Sequence, residues 1–180
     1  GEAPAEVATA TVAAAPPTAV LVEEDPTAVP LDIPLVTYES PNYAVSFLLP
    51  ESWLVDDNED AITLRSDDAA SPAVRIEMTF VPAALIGGGN LLDLIAVGTD
   101  SFAAQEGAEV VQEVEMTTLN NQRAASTQVR GPNGDETAFL EYVVIMSNTG
   151  DQVATIVALT RTATETENLP IVAAILNSIE

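Results

Sequence analysis

"YAVSFLLPESWLVDDNEDAITLRS", from Tyr43 to Ser66, decides how the rest of the chain is read. Tyr43, Val45, Phe47 and Leu49 alternate with Ala44, Ser46 and Leu48, the period of a strand that buries one face. Pro50 has no N–H to give to a ladder and stops the strand. Trp53 is the single tryptophan of the chain, and after it Asp56, Asp57, Asn58, Glu59 and Asp60 crowd four acids into five positions. Ile62 and Leu64 then resume the alternation in "AITLRS". The acidic turn is either a metal site or a solvated tip held in place by Trp53.

Calcium takes oxygen ligands at fixed spacing, and Asp56, Asn58, Asp60 and Asp67 fall at positions 1, 3, 5 and 12 of an EF-hand count. Ala61 stands where that loop needs glycine, and Asp67 stands where it needs glutamate. The strand pattern also runs through the back half of the loop. The reading adopted is a solvated acidic turn, with calcium as the weak alternative and no metal or cofactor expected. For Trp53, a lone indole after a strand-ending proline reads as closure of a core edge, with a ligand platform as the alternative.

Composition narrows function further. The chain has 180 residues, no histidine and no cysteine, and its five positive charges are all arginines against 28 acids, for a net charge of −23. Counterion release on a nucleic acid needs a basic surface, so nucleic acid is excluded as a partner, and anionic lipid is disfavoured for the same reason. Without histidine, lysine or cysteine there is no imidazole base, no Schiff base, no P-loop lysine and no thiol nucleophile. Carboxylate chemistry, Ser/Thr nucleophiles without an imidazole base, and oxygen-ligated metals survive. No apolar run approaches the roughly 20 residues of a membrane helix. Arg65, Arg75, Arg123 and Arg130 are expected to pair with nearby acids, with a shared anion site as the alternative.

Residues 1–36 differ from the rest of the chain. They hold six prolines, six acids and no arginine in an Ala/Pro/Thr/Val background. Prolines at that density forbid a long helix and favour an extended spacer. The expectation is an acidic tether or arm over 1–36, with a leader removed ahead of Gly1, and a folded domain over 37–180. Val20, Leu21, Val22, Val29, Leu31, Ile33 and Leu35 are the arm's candidates for partner contact, as an added strand or in an apolar groove.

Beyond Ser66, "AVRIEMTFV" alternates as a half-buried strand. "GGGNLLDLIAVGTDSFAAQEG" shifts to helical period, with Asn90 as cap and Leu91, Ile95, Gly98 and Phe102 as a stripe ended by Gly107. Its glycines lack the lysine of a phosphate loop and read as a joint. Strands come next at 109–119, 122–130, 136–147 and 152–161, joined by Asn120-Asn121, "GPNGD" and "SNTGD". "FLEYVVIM" and "VATIVALT" are apolar on both faces, as central strands are. A last helix is expected from about Asn168, with Pro170 in its first turn and Val172, Ile175, Leu176 and Ile179 inward. The order implies an α+β fold, an antiparallel sheet of six to seven strands sandwiched by helices.

"YESPNYAVSFLLPESWLV" at the start of this region and "TENLPIVAAILNSIE" at its end resemble PsbP/DcrB-type domains, which open on an aromatic strand leading to P-x-x-W and close on a helix with an I-x-x-S-I end. The resemblance covers residues 37–180. It implies an αβα sandwich and a non-enzymatic, extracytoplasmic accessory domain, often a lipoprotein or an extrinsic subunit of a membrane assembly such as photosystem II. Members use lysines for docking and histidine for proposed metal roles. This chain has neither, so no docking or metal residue is carried over. The expected function is an accessory or scaffold domain, lipid-anchored or secreted, that binds a protein partner and touches the membrane only through a removed anchor. The alternative is a small-molecule or calcium-binding module beside the Trp53 loop. A carboxylate-dependent hydrolase ranks last, because nothing in a meander domain brings two carboxylates face to face.

Overall fold

The computed structural model of the chain describes residues 33–86 and 90–180. The alternating segments become nine strands, β1 (Leu35–Glu39), β2 (Ser46–Pro50), β3 (Leu54–Asp57), β4 (Ile62–Arg65), β5 (Val74–Pro82), β6 (Glu109–Leu119), β7 (Gln122–Asn133), β8 (Glu136–Met146) and β9 (Gln152–Arg161). Helix α1 (Leu91–Ala103) lies between β5 and β6, and α2 (Glu165–Asn177) comes after β9. Seven strands form one antiparallel sheet in the order β3-β4-β5-β9-β8-β7-β6, and β1 and β2 form a separate two-stranded sheet. The result is the expected α+β architecture.

Each face of the large sheet is covered because alternate residues on its strands are apolar. On one face Ile62, Leu64, Ile76, Met78 and Ile156 are fully buried against Phe47 of β2, Trp53, and Val172, Ile175 and Leu176 of α2. Side chains this size contribute about 1.5–3 kcal/mol each when buried, so this layer dominates the fold's stability. On the other face Leu91 and Ile95 of α1 pack on Ala125, Val144 and Val153. β8 and β9 lie inside the sheet, which is why both their faces are apolar. Asn120 and Asn121 both take positive φ, 43° and 62°, the backbone that a two-residue hairpin between β6 and β7 demands.

Four expectations shift. The segment Tyr43–Pro50 is not in the large sheet; β2 within it pairs with β1 and lies over the α2 side of the core. β1 has no clear signature in the sequence because Val36 and Thr37, both exposed, break the alternation. It begins at Leu35, and Ile33 packs against the core, so the folded part starts before residue 37. Helix α1 ends at Ala103, four residues ahead of Gly107, whose φ of +86° serves the next turn. α2 starts at Glu165, after a 3-10 turn at Thr162–Thr164, so Pro170 lies within the helix and not in its first turn. A proline there leaves the Thr166 carbonyl without its helical N–H donor, and at the helix start the Asn168 amide donates to the Thr164 carbonyl at 3.1 Å.

Gly98 has a packing reason. A Cβ there would sit 2.3 Å from the tip of the Tyr142 ring, which lies under α1 on β8. Gly98→Ala is therefore expected to cost about 1–3 kcal/mol in urea unfolding, through displacement of a packed ring. Tyr142→Leu should recover most of that loss in the double variant. Additive losses would place the strain elsewhere.

Candidate functional site

Pro50 ends β2, and the Trp53 N–H donates to the Pro50 carbonyl at 3.0 Å, closing a turn that drives the indole into the core. Trp53 is 9% exposed and belongs to the α2-side cluster, so its ring is a core wall. The chain then runs into β3, a strand that the acidic composition concealed. β3 and β4 pair antiparallel, with Asp56 opposite Thr63 and Asp57 opposite Ile62. Successive residues of a strand face opposite ways, so Asp56 and Asp57 part company. Asp56 is exposed, and Asp57 turns toward β1.

Asp57 is the structural centre of the acidic stretch. One carboxylate oxygen accepts from the Tyr38 hydroxyl at 2.9 Å and the Ser40 hydroxyl at 2.7 Å, and the other accepts from the Asn42 amide at 2.9 Å. Burial pushes its pKa upward, but the bonds from Asn42, Ser40 and Tyr38 outweigh it and hold the carboxyl below its ordinary range. Tyr38 is pushed up to about 12 by burial, by its bond to Asp57 and by the same negative charge. The cluster ties the two-stranded sheet to the edge of the large one.

The four calcium candidates do not converge. The Asn58 side chain accepts from the backbone N–H groups of Asp60 and Ala61 at 2.9 and 3.2 Å, forming the turn itself. Asp60 is exposed at the tip. Asp67 lies beyond β4, where its carboxylate accepts from the N–H groups of Ala69 and Ala73, and those bonds lower its pKa. Asp67 is four residues past Thr63, the partner of Asp56, a separation of roughly 13 Å at the rise of a strand. Pairing of β3 with β4 stretches the count that would have to curl around an ion. Among the described residues, no group of three or more His, Cys, Asp or Glu side chains is disposed to hold a metal.

The arginines are also dispersed. Arg65 lies 3.6 Å from Asp68, Arg75 is 2.8 Å from Glu77, and Arg130 is 2.5 Å from Glu165 of α2. Arg65 and Arg75 stand opposite each other across β4 and β5, but Arg123 and Arg130 lie seven residues and roughly 23 Å apart along β7, so the four share no single site. Of the arm's candidate contacts, Ile33 packs on the core and Leu35 pairs with Pro50. Val20, Leu21, Val22, Val29 and Leu31 lie outside the described residues.

Two features stand out beyond the residues singled out in the sequence, and the first lies on a strand the sequence does predict. The first is the edge strand β6, eleven residues long, which leaves Val110, Val111 and Met116 more than 40% exposed. Its register to β7 shifts twice, between Val110 and Gln112 and again before Glu115. The second is a cavity of about 330 Å³ between the entry to β2, the end of β5, the β6–β7 and β8–β9 turns and residues 179–180. Tyr43 stacks on Phe80 in its wall, with ring centroids 4.4 Å apart. Burial, and then the charges of Asp57, Asp60 and Glu59, raise the Tyr43 pKa. The strand of β6 is legible in the sequence but its edge position is not, and the cavity has no local motif because it draws on segments far apart in the chain.

Solved structures share this arrangement. The cyanobacterial PsbP protein CyanoP of Synechocystis superposes with a TM-score of 0.57 at 16% identity, covering 81% of this chain and 91% of its own. The Saccharomyces cerevisiae Ran-binding protein Mog1p does so at 0.54 and 10% identity, over 82% of this chain and 95% of its own. LpqN of Mycobacterium tuberculosis, described as involved in cell envelope biogenesis, matches at 0.54 and 9%, over 81% and 90%. No family model matches the chain, and no curated protein matches it significantly. The fold is PsbP-like.

Two measurements test the site. Trp53→Ala should cost about 3–5 kcal/mol in denaturant unfolding, through lost burial and the cavity left behind. A near-native stability would make the indole dispensable to the core. Asp57→Asn should cost about 1 kcal/mol at pH 7, a modest figure because water reaches the cluster. The Asp57 carboxyl is depressed in the folded state, so its contribution is full above the unfolded value of about 3.9 and disappears as pH falls through the folded value. The gap between wild type and variant should therefore close in acid, and a constant gap down to the acid transition would refute the assignment.

Proposed function

We propose that this chain is a non-enzymatic accessory domain that works outside the cytoplasm, held there by its acidic N-terminal arm, and binds a protein partner within a membrane-associated assembly. The observation that carries the reading is β6. An edge strand has a row of backbone N–H and C=O groups without a ladder partner, and such edges accept an extended segment of another chain. Here the edge also displays Val110, Val111 and Met116. Glu109, Glu113 and Glu115 punctuate the same strand, and its register shifts bend it, both of which oppose pairing of two copies. A net charge of −23 adds repulsion between copies, so a heterologous partner suits the edge better than self-association.

The fold neighbours support this reading by analogy. Mog1p is a Ran-binding protein, so the fold can present a protein-binding surface, and LpqN is tied to the cell envelope. The described helices include none long and apolar enough to cross a membrane, so membrane attachment would fall to the arm or to the partner.

The test uses a photo-crosslinking residue at Met116 in the native host, with the same residue at Leu54 on the opposite edge strand as control. A discrete protein adduct at Met116, absent at Leu54 and weakened by Val111→Glu, is expected. Equal labelling at both edges would remove β6 as the docking edge. Deleting residues 1–32 should leave cooperative unfolding intact while abolishing the adduct in the host, because the arm serves location. A domain that fails to fold without them would make the arm part of the core.

A further inference from the structure

The cavity beside the Tyr43–Phe80 stack has a chemistry unlike the rest of this acidic surface. Its floor is apolar, built from Val45, Phe80, Ile145, Ala154 and Ile179. Its polar groups are mainly carboxamides, Asn120, Gln122, Asn148 and Gln152, with Ser147 beside them, and Tyr43, whose buried hydroxyl has no hydrogen-bond partner among the described residues, also lines it. No arginine lines it, and Glu180 is the one charged side chain there among the described residues. In a chain with 28 acids, four neutral amides around one opening are a departure from the background.

The amides on one wall are held in fixed orientation. The Asn120 and Gln122 side chains both donate N–H to the backbone carbonyl of Ile179, each at 3.0 Å. A carbonyl can only accept, so each amide must present its nitrogen to Ile179. That leaves the amide oxygens as acceptors and the second N–H of each as a donor. Gln122 is 8% exposed, so its amide is set in the wall and does not sweep through solvent. The tail carrying Ile179 is itself anchored, since Ser46 and Glu180 exchange backbone hydrogen bonds at 3.0 and 3.3 Å. On the opposite rim, Asn148 and Gln152 come from the β8–β9 turn and are exposed.

We propose that this cavity binds an uncharged ring compound that carries a hydrogen-bond donor and an acceptor on adjacent atoms. A vicinal-diol sugar ring and a cyclic amide both present that pattern. Paired donors and acceptors on the wall match paired acceptors and donors on the ligand, and the apolar floor takes the ring. Anions are excluded by Glu180 and by the net charge of the chain. At about 330 Å³ the space is at the small end of ligand sites, which run from roughly 300 to 1,000 Å³, so it suits one ring and not an extended chain. This site abuts the end of β6 at the β6–β7 turn but uses none of Val110, Val111 or Met116, so it goes beyond the accessory role and neither depends on the other.

The test is a titration of the isotope-labelled full chain, monitored by amide shifts in two-dimensional NMR. Glucose and uracil are the neutral probes, and glucuronate and orotate are their anionic counterparts. At least one neutral probe should give saturable shifts confined to the Tyr43–Val45, Asn120–Gln122 and Ser147–Ala154 segments. Its anionic counterpart should bind about tenfold more weakly or worse. Glucose alone would identify the diol as the recognised source, uracil alone the cyclic amide, and binding of both the shared pattern. Ala154→Leu fills the cavity and should abolish the shifts. If that variant does not fold, the exposed pair Asn148→Ala and Gln152→Ala should weaken binding without altering the melting temperature. Absence of saturable shifts with both neutral probes overturns the proposal. So do an anion that binds as well as its neutral counterpart, and binding that survives these substitutions.

Discussion

β5 and β9 pair along nine residue positions, from Val74 opposite Thr160 to Pro82 opposite Gln152, and that pairing makes one sheet out of two. Without it the chain holds a three-stranded meander, β3-β4-β5, and a four-stranded one, β6-β7-β8-β9. Each meander closes through local turns, but neither can bury both of its faces alone. Joining them brings Ile76 and Met78 of one beside Ile156 and Ala158 of the other, and α2 and β2 cover that seam. The joint spans some seventy residues of sequence, so its formation must meet the cost of closing a long loop before the core repays it.

The β1–β2 unit depends on the seam in turn. A two-stranded sheet is at best marginal alone. Here Phe47 and Leu49 of β2 enter the main core, and Asp57 at the edge of the large sheet collects Tyr38 of β1 and Ser40 and Asn42 of the β1–β2 loop. A carboxylate with three donors is favoured in its charged form even in a partly buried place. The acidic run that suggests an ion site in the sequence thus divides its work. Asp57 joins two sheets, Asn58 shapes a turn, and Asp56 and Asp60 face solvent. The same assembly leaves a cavity where the β2 entry, the turns and the tail meet without filling the space between them.

Arg65, Arg75, Arg130 and Arg161 each sit beside a neighbouring acid. What distinguishes one part of the exterior from another is therefore the apolar edge at β6 and the amide-lined hollow at the end of the sheet. Both suit recognition by shape and hydrogen bonding more than by long-range attraction, which the overall charge would direct toward cations.

Much of the fold is legible in the residues alone. The alternation in β4 and β5, the two-sided apolar runs of β8 and β9, the Asn120-Asn121 hairpin and the buried stripe of α2 each come from a period of two, a continuous apolar run, a positive-φ turn or a period of 3.6, all of which are local. Trp53 reads correctly as a core residue because an indole after a strand-ending proline has few other places to go. β1 and β3 are not legible. They are short, half-exposed or acidic, and they become strands because the neighbouring strands β2 and β4, fixed by the core, offer them hairpin ladders. Gly98 can be placed on a helix face, but only the ring of Tyr142, forty-four positions on, explains why it must lack a side chain. The cavity belongs to the same class, since Tyr43, Phe80, Gln122, Gln152 and Ile179 share no pattern in sequence. Local periodicity sets what each segment is; which segments meet is decided by the burial of the two faces together, and sites made where segments meet are visible only then.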